Sequence, residues 1–140
     1  MKVLYTASAT VTGEGRNGHG RTSDGLLDLD LATPKEMGGA GGATNPEQLF
    51  AVGYAACFHS ALKVVGRREK VDVDGSTVEA EVGIGPNESR GFALQVALTA
   101  SLPNVEQEAA DRIVAAAHQV CPYSNATRGN IEVTVRAIGR

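Results

Sequence analysis

Two cysteines, Cys57 and Cys121, are the strongest candidates for chemistry in this chain. Cys57 lies in GYAACFHSAL (Gly53–Leu62), an apolar run with helical character, and Cys121 lies in VCPYS. They form neither a CxxC pair nor a zinc pattern. A buried cysteine is ordinarily a packing residue, and a reactive one must be held as thiolate. Helix position separates the two. Cys57 falls about eleven residues past the start of its helix, whereas the macrodipole acts mainly in the first turn. A thiolate there needs a cation brought from elsewhere. Cys121 ends its helix just before Pro122, where the dipole opposes a thiolate. On this reading Cys57 is the attacker and Cys121 the second thiol.

The cation and its partner have candidates. Arg16 sits in the glycine turn GEGRNG. Arginine keeps its charge when buried and pairs bidentately with a carboxylate. Glu47 stands at the start of the Cys57 helix, ten positions before the cysteine. Ten residues span roughly 15 Å of helix axis and about 80° of rotation, so Glu47 cannot touch the Cys57 sulfur along one straight helix. For the two to cooperate, either the helix breaks, with Gly53 as the candidate, or Glu47 serves the cysteine of a second chain.

Other candidates are weaker. Gly13, Gly15 and Gly18 match GxGxxG, but the chain continues HGRTSDG, which reads as turn chemistry where a dinucleotide site needs a helix. His19, His59 and His118 make no local pair at metal spacing, so no metal is expected.

These residues require elements to place them. Period-two alternation predicts strands over Lys2–Thr12, Leu27–Leu31, Val78–Ile84, Phe92–Leu98 and Ile131–Val135. One helix is predicted from Asn45 as N-cap and Pro46 at its first position to about Val65, ending near Gly66. It carries no charge from Leu49 to Phe58, so both of its sides should be covered. A second is predicted from Asn104 as cap, with apolar stripe Val105, Ala109, Ile113, Ala116, Val120 and polar face Glu108, Asp111, Arg112, Gln119. The order ββαββαβ implies an α+β class with largely antiparallel sheet. The chain of 140 residues reads as one domain, 1–140. Net charge of −3, from 13 basic and 16 acidic residues without a block of either sign, argues against a nucleic-acid partner. No apolar run approaches the roughly 20 residues of a membrane span. The opening residues read as a strand and not as a signal peptide, so a cytoplasmic location, with reduced thiols, is expected.

The stretches GEGRNG, SDGLLDLDLATPKEMGG, ATNPEQLFAVGYAACFHSAL and VCPYSNATRGN together resemble the organic hydroperoxide resistance branch of the OsmC/Ohr family, nearly end to end from Tyr5 to Val135. The resemblance implies a thiol peroxidase without cofactor or metal, folded as an interleaved homodimer with antiparallel sheets and a central buried cysteine helix. It makes Cys57 the peroxidatic and Cys121 the resolving cysteine, joined as a disulfide during turnover. Arg16 becomes the cation that stabilises thiolate and transition state, and Glu47 the carboxylate that pairs with it. Active sites are implied at the dimer interface, and the implied reductant is a dithiol of the lipoyl type. Glu14 departs from the family's GGR turn and adds a carboxylate that could compete for Arg16. Leu49, Phe50, Tyr54 and Phe58 surround the cysteine in sequence and would favour alkyl or lipid hydroperoxides. Three other readings stay open: a sibling OsmC-branch peroxidase with broader peroxide use, a non-enzymatic lipid or fatty-acid carrier, and a redox sensor.

Overall fold

The computed structural model describes residues 1–140, which cluster into two compact units, Met1–Leu49 and Phe50–Arg140.

In the first unit, β1 (Ala9–Thr12), β2 (His19–Thr22) and β3 (Asp28–Asp30) form an antiparallel sheet in that order. The predicted Lys2–Thr12 strand is regular only over its last four residues, because β2 is four residues long and pairs Ala9–Thr12 alone. The Ser8 carbonyl still accepts from Ser23 N–H, the residues before it lie outside any strand, and Val3, Leu4 and Tyr5 are exposed. HGRT, read as turn from sequence, is strand β2, and its His19 is flanked by Asp28 and Asp30 of β3. Cross-strand charge pairing of this kind holds two short polar strands that have no apolar face to bury. One-turn 3-10 helices at Gly15–Asn17 and Lys35–Met37 bracket β2 and β3.

The second unit takes all but the first turn of helix α1 (Pro46–Glu69), then β4 (Thr77–Pro86), β5 (Phe92–Ser101), α2 (Gln107–Val120), α3 (Pro122–Thr127) and β6 (Glu132–Ile138). Its sheet has the order β4-β5-β6, with β4 antiparallel and β6 parallel to β5. The parallel pair requires a crossover, which α2 and α3 supply. The core is built from Tyr54, Phe58, Leu62 and Val65 of α1, Val96, Leu98 and Ala100 of β5, and Ala110, Ile113, Val114 and Ala117 of α2. The buried stripe of α2 therefore runs through Ala110, Val114 and Ala117 beside Ile113, and the predicted Val120 is exposed. The cap moves too: α2 starts at Gln107 after Glu106, while Asn104 donates to Asp72 and to the Asp74 carbonyl. The short helix α3 follows a proline at its first position and was not foreseen.

Helix α1 runs past Gly66 to Glu69. Lys70, at φ 57°, takes the left-handed position, and Val71 N–H reaches the Gly66 carbonyl at 2.9 Å to close a Schellman motif. Gly66 serves packing instead, since a Cβ there would stand 2.9 Å from both methyls of Val73. Contrary to the sequence expectation, α1 is long and apolar enough by composition to cross a membrane. Its Tyr54–Phe58–Leu62–Val65 side is instead the centre of the core. The chain covers one side of the uncharged stretch and leaves Val52 71% exposed.

Candidate active site

Glycine conformation sets the Arg16 turn. Gly15 has φ +60°, and a Cβ on Gly18 would lie 2.1 Å from the Thr12 carbonyl oxygen, so neither position accepts a side chain without distortion. Asn17 fixes the turn from the other side, its Oδ1 accepting from Thr33 N–H at 2.9 Å. Glu47 is placed by the start of α1. Asn45 is the N-cap, accepting from Gln48 N–H at 2.9 Å, and Gln48 in turn accepts from the Thr44 hydroxyl at 2.9 Å.

Arg16 and Glu47 meet as a fork: Nη1 to Oε2 at 2.8 Å and Nη2 to Oε1 at 2.7 Å. The hydrogen bond from Arg16 holds the Glu47 carboxyl below its usual range, against burial, and the same bond raises the Arg16 guanidinium further. Both groups stay charged. The fork uses one edge of the guanidinium and leaves Nε and the outer protons free to face an anion. Glu14, the extra carboxylate of the turn, is exposed and makes no bond to Arg16.

The second unit brings the two cysteines together. Both are free, and Cys121 Sγ lies 3.6 Å from Cys57 Sγ. Cys57 is half-buried on α1 and Cys121 fully buried. Cys121 closes α2 and at the same time caps α3, so the negative end of one helix and the positive end of the other meet there. The start of α3 thus counters the C-terminal end of α2 expected to act on Cys121, and exposure also distinguishes the two cysteines. Burial pushes the Cys57 thiol above its ordinary pKa and Cys121 adds to this, while the Tyr123 backbone N–H opposes both.

Gly53 does not break α1. It lets the Tyr123 ring lie on the helix, where a Cβ would stand 3.0 Å from the Tyr123 hydroxyl. Tyr123 and Phe50, with ring centroids 5.9 Å apart, form one wall of a cavity of about 800 Å³ that Phe92, Leu94, Ala126 and Ile131 continue. Of the four apolar residues expected near the substrate, Phe50 lines this cavity. Tyr54 and Phe58 lie fully in the core, and Leu49 is at the surface. Sequence reasoning missed Tyr123, Ser124, Thr127 and the role of His118. The available signal was the run of hydroxyls after Cys121, and its meaning depends on the unforeseen helix α3.

Comparison with known proteins places the chain. Residues 39–136 match the model of the OsmC-like protein family. The organic hydroperoxide resistance protein of Xanthomonas axonopodis pv. citri is 53% identical over 136 residues, covering 96% of this chain and 94% of the relative. A crystal structure of an organic hydroperoxide resistance protein from Elizabethkingia anophelis superposes with a TM-score of 0.95 at 51% identity, over 100% of both chains. That of OhrB from Bacillus subtilis superposes at 0.87 with 43% identity, over 96% of this chain and 99% of the other. With a close thiol pair between α1 and the α2–α3 junction, a forked arginine in the glycine turn and these relatives along its whole length, the chain belongs to the OsmC family, in its organic hydroperoxide resistance branch.

Proposed function

We propose that the protein is a cysteine-based peroxidase that reduces organic hydroperoxides to alcohols. The observation that carries the reading is the 3.6 Å approach of Cys57 and Cys121, one half-buried and one fully buried. The Cys57 thiolate attacks the terminal oxygen of ROOH in line with the O–O bond. That bond breaks, RO⁻ leaves and takes a proton to become ROH, and Cys57 is left as sulfenic acid. The Cys121 thiol then displaces the sulfenic oxygen as water and the Cys57–Cys121 disulfide forms. A disulfide is about 2.05 Å long, so the sulfurs close by roughly 1.5 Å, a side-chain adjustment. An external dithiol of the lipoyl type returns both thiols and leaves as its own disulfide.

Burial alone would keep Cys57 protonated, so Arg16 supplies the charge that favours thiolate and the developing alkoxide, oriented by Glu47. Because α1 is continuous from Glu47 to Cys57, with a separation of roughly 15 Å along its axis, the fork serves the cysteine of a second copy. Exposed Val3, Leu4, Tyr5 and Val52 supply apolar surface for a homodimer. The cavity walled by Phe50, Phe92 and Tyr123 takes an alkyl or lipid tail and offers hydrogen peroxide nothing. The reading treats residues 1–140 as one OsmC-like domain, working in a reducing cytoplasm without metal or cofactor.

One equivalent of cumene hydroperoxide should give an intrachain Cys57–Cys121 link with loss of two hydrogens, seen by mass spectrometry without reductant. Cys57→Ser should abolish turnover, and Cys121→Ser should react once and then stall or over-oxidise. Steady turnover by the Cys57 variant would sink the reading. The same cavity also suits a lipid carrier, which predicts stoichiometric fatty-acid binding that survives loss of both cysteines.

A further inference from the structure

Four side chains that the peroxidase scheme does not use lie on the cysteine-bearing helices, three of them one helical turn from a cysteine. Tyr54 precedes Cys57 by three residues on α1. His118 precedes Cys121 by three on α2, and Ser124 follows it by three on α3. Thr127 closes α3. Tyr54 and Ser124 are fully buried and Thr127 nearly so. Tyr54 Oη lies 3.0 Å from Ser124 Oγ and 3.0 Å from Thr127 Oγ1, and His118 Nδ1 lies 2.8 Å from Ser124 Oγ.

The protons in this cluster have one consistent order. Thr127 Oγ1 lies 3.0 Å from the Tyr123 carbonyl oxygen and 3.3 Å from that of Ser124, both of which only accept, so the threonine proton goes to the backbone, to Tyr123 by the shorter distance. Thr127 Oγ1 then accepts from Tyr54, whose single proton is used. Ser124 must donate to Tyr54, and the proton between Ser124 and His118 must sit on Nδ1. The chain runs His118 to Ser124 to Tyr54 to Thr127 to the carbonyl of Tyr123, with every hydroxyl both donating and accepting. Burial, and then the charge of Arg128, lower the His118 pKa, which agrees with a neutral ring protonated on Nδ1.

We infer that this directed hydrogen-bond chain is a brace for the redox pair: it ties the α2–α3 junction carrying Cys121 to the Cys57 helix, so that disulfide closure is left to side-chain rotation. The inference rests on the thiol-peroxidase reading only in that the pair is used. At Cys121 the backbone leaves the helical conformation (φ −61°, ψ 122°); its N–H bonds the Ala117 carbonyl, its carbonyl accepts from Asn125 N–H, and Arg128 Nη2 reaches the His118 carbonyl, so these bonds hold α2 to α3 but not the junction to α1. An apolar replacement of the tyrosine hydroxyl would fill the same core volume, yet it would remove the hydrogen bonds from α1 to Ser124 and Thr127 of that junction. The phenol, serine and threonine are positioning residues; none touches a sulfur in the contacts described.

The test is the rate at which diamide closes the Cys57–Cys121 bond. Diamide takes up the two electrons and two protons of the thiols, so the assay needs no peroxidase activity. Tyr54→Phe and Thr127→Val should close the disulfide at least tenfold more slowly, and Thr127→Ser, which keeps the hydroxyl, should stay near wild type. After one equivalent of cumene hydroperoxide the slow variants should also accumulate trappable Cys57 sulfenic acid. Ile113→Val is the control, a core change that lowers the melting midpoint without touching the chain, and its closure rate should be unchanged. Nitrogen-15 shifts should show neutral His118 protonated on Nδ1. Unchanged closure in Thr127→Val, equal slowing in Ile113→Val, or a proton on Nε2 would each overturn the brace. A wild type that closes with diamide but ignores peroxide would overturn the peroxidase reading and leave the brace tested. Should Tyr54→Phe not fold, the Thr127 pair decides alone.

Discussion

A thiol halfway along a buried helix is a poor nucleophile until positive charge reaches it, and here burial raises the Cys57 pKa. The charge we propose for this is Arg16, whose guanidinium is forked to Glu47. Because Arg16 holds the Glu47 pKa down, the pair stabilises the fold above the ordinary glutamate value of 4.5 and loses that contribution as pH falls through the depressed value. Urea titrations between pH 3 and 6 should therefore show part of the wild-type acid limb missing in Glu47→Gln. The variant should also reduce peroxide more slowly at neutral pH, because the guanidinium is no longer oriented. The residue types were legible: arginine in a glycine turn and glutamate after an Asn-Pro cap. Their pairing came from the family resemblance and not from local pattern, since the fork joins positions 31 apart in sequence through a turn whose backbone only the fold defines.

At the scale of elements, α1 shows how one residue type misleads when its role changes. Glycine near a helix end ordinarily supplies the left-handed stop. Gly66 instead makes room for Val73, and Lys70 bears the left-handed strain four residues later. Gly66→Ala should destabilise by about 1–2 kcal/mol, overpacking outweighing the gain in helix propensity. Lys70→Gly should stabilise by about 1 kcal/mol. Chemical denaturation of the two variants checks both signs. The long alternating strands β4 and β5 and the capped start of α1 could be read from local pattern. Strand β2 and helix α3 could not, because four polar residues and six residues after a proline carry too little periodicity; cross-strand pairing and the Tyr54 bonds hold them.

At the scale of the whole molecule, the unbroken α1 underlies the proposal that a site draws on two chains. Mixed dimers of Cys57→Ser and Arg16→Ala chains test the two-chain arrangement, since each homodimer alone is impaired. If arginine and cysteine come from different chains, the mixture regains about half of one wild-type dimer's turnover per mixed dimer, from its one intact site. If they come from the same chain, no activity returns. The uncharged flank of α1 was legible as a surface to be covered, and Lys2–Thr12 only as a strand. Nothing in a single chain covers them, and the exposed Val3, Leu4, Tyr5 and Val52 are the remainder.

The placement of the cysteines 64 residues apart, on the first and last pieces of the second unit's core helices, has a consequence for unfolding. A disulfide between them would enclose the second half of α1 with β4, β5 and α2 in one covalent loop and remove about 4 kcal/mol of chain entropy from the unfolded state. Oxidation would then raise the melting midpoint and slow proteolysis, measurable by scanning the oxidised and dithiothreitol-reduced forms side by side. By linkage, the reductant that restores the thiols must work against that same stabilisation. The protein would be hardest to unfold in the state that peroxide itself produces.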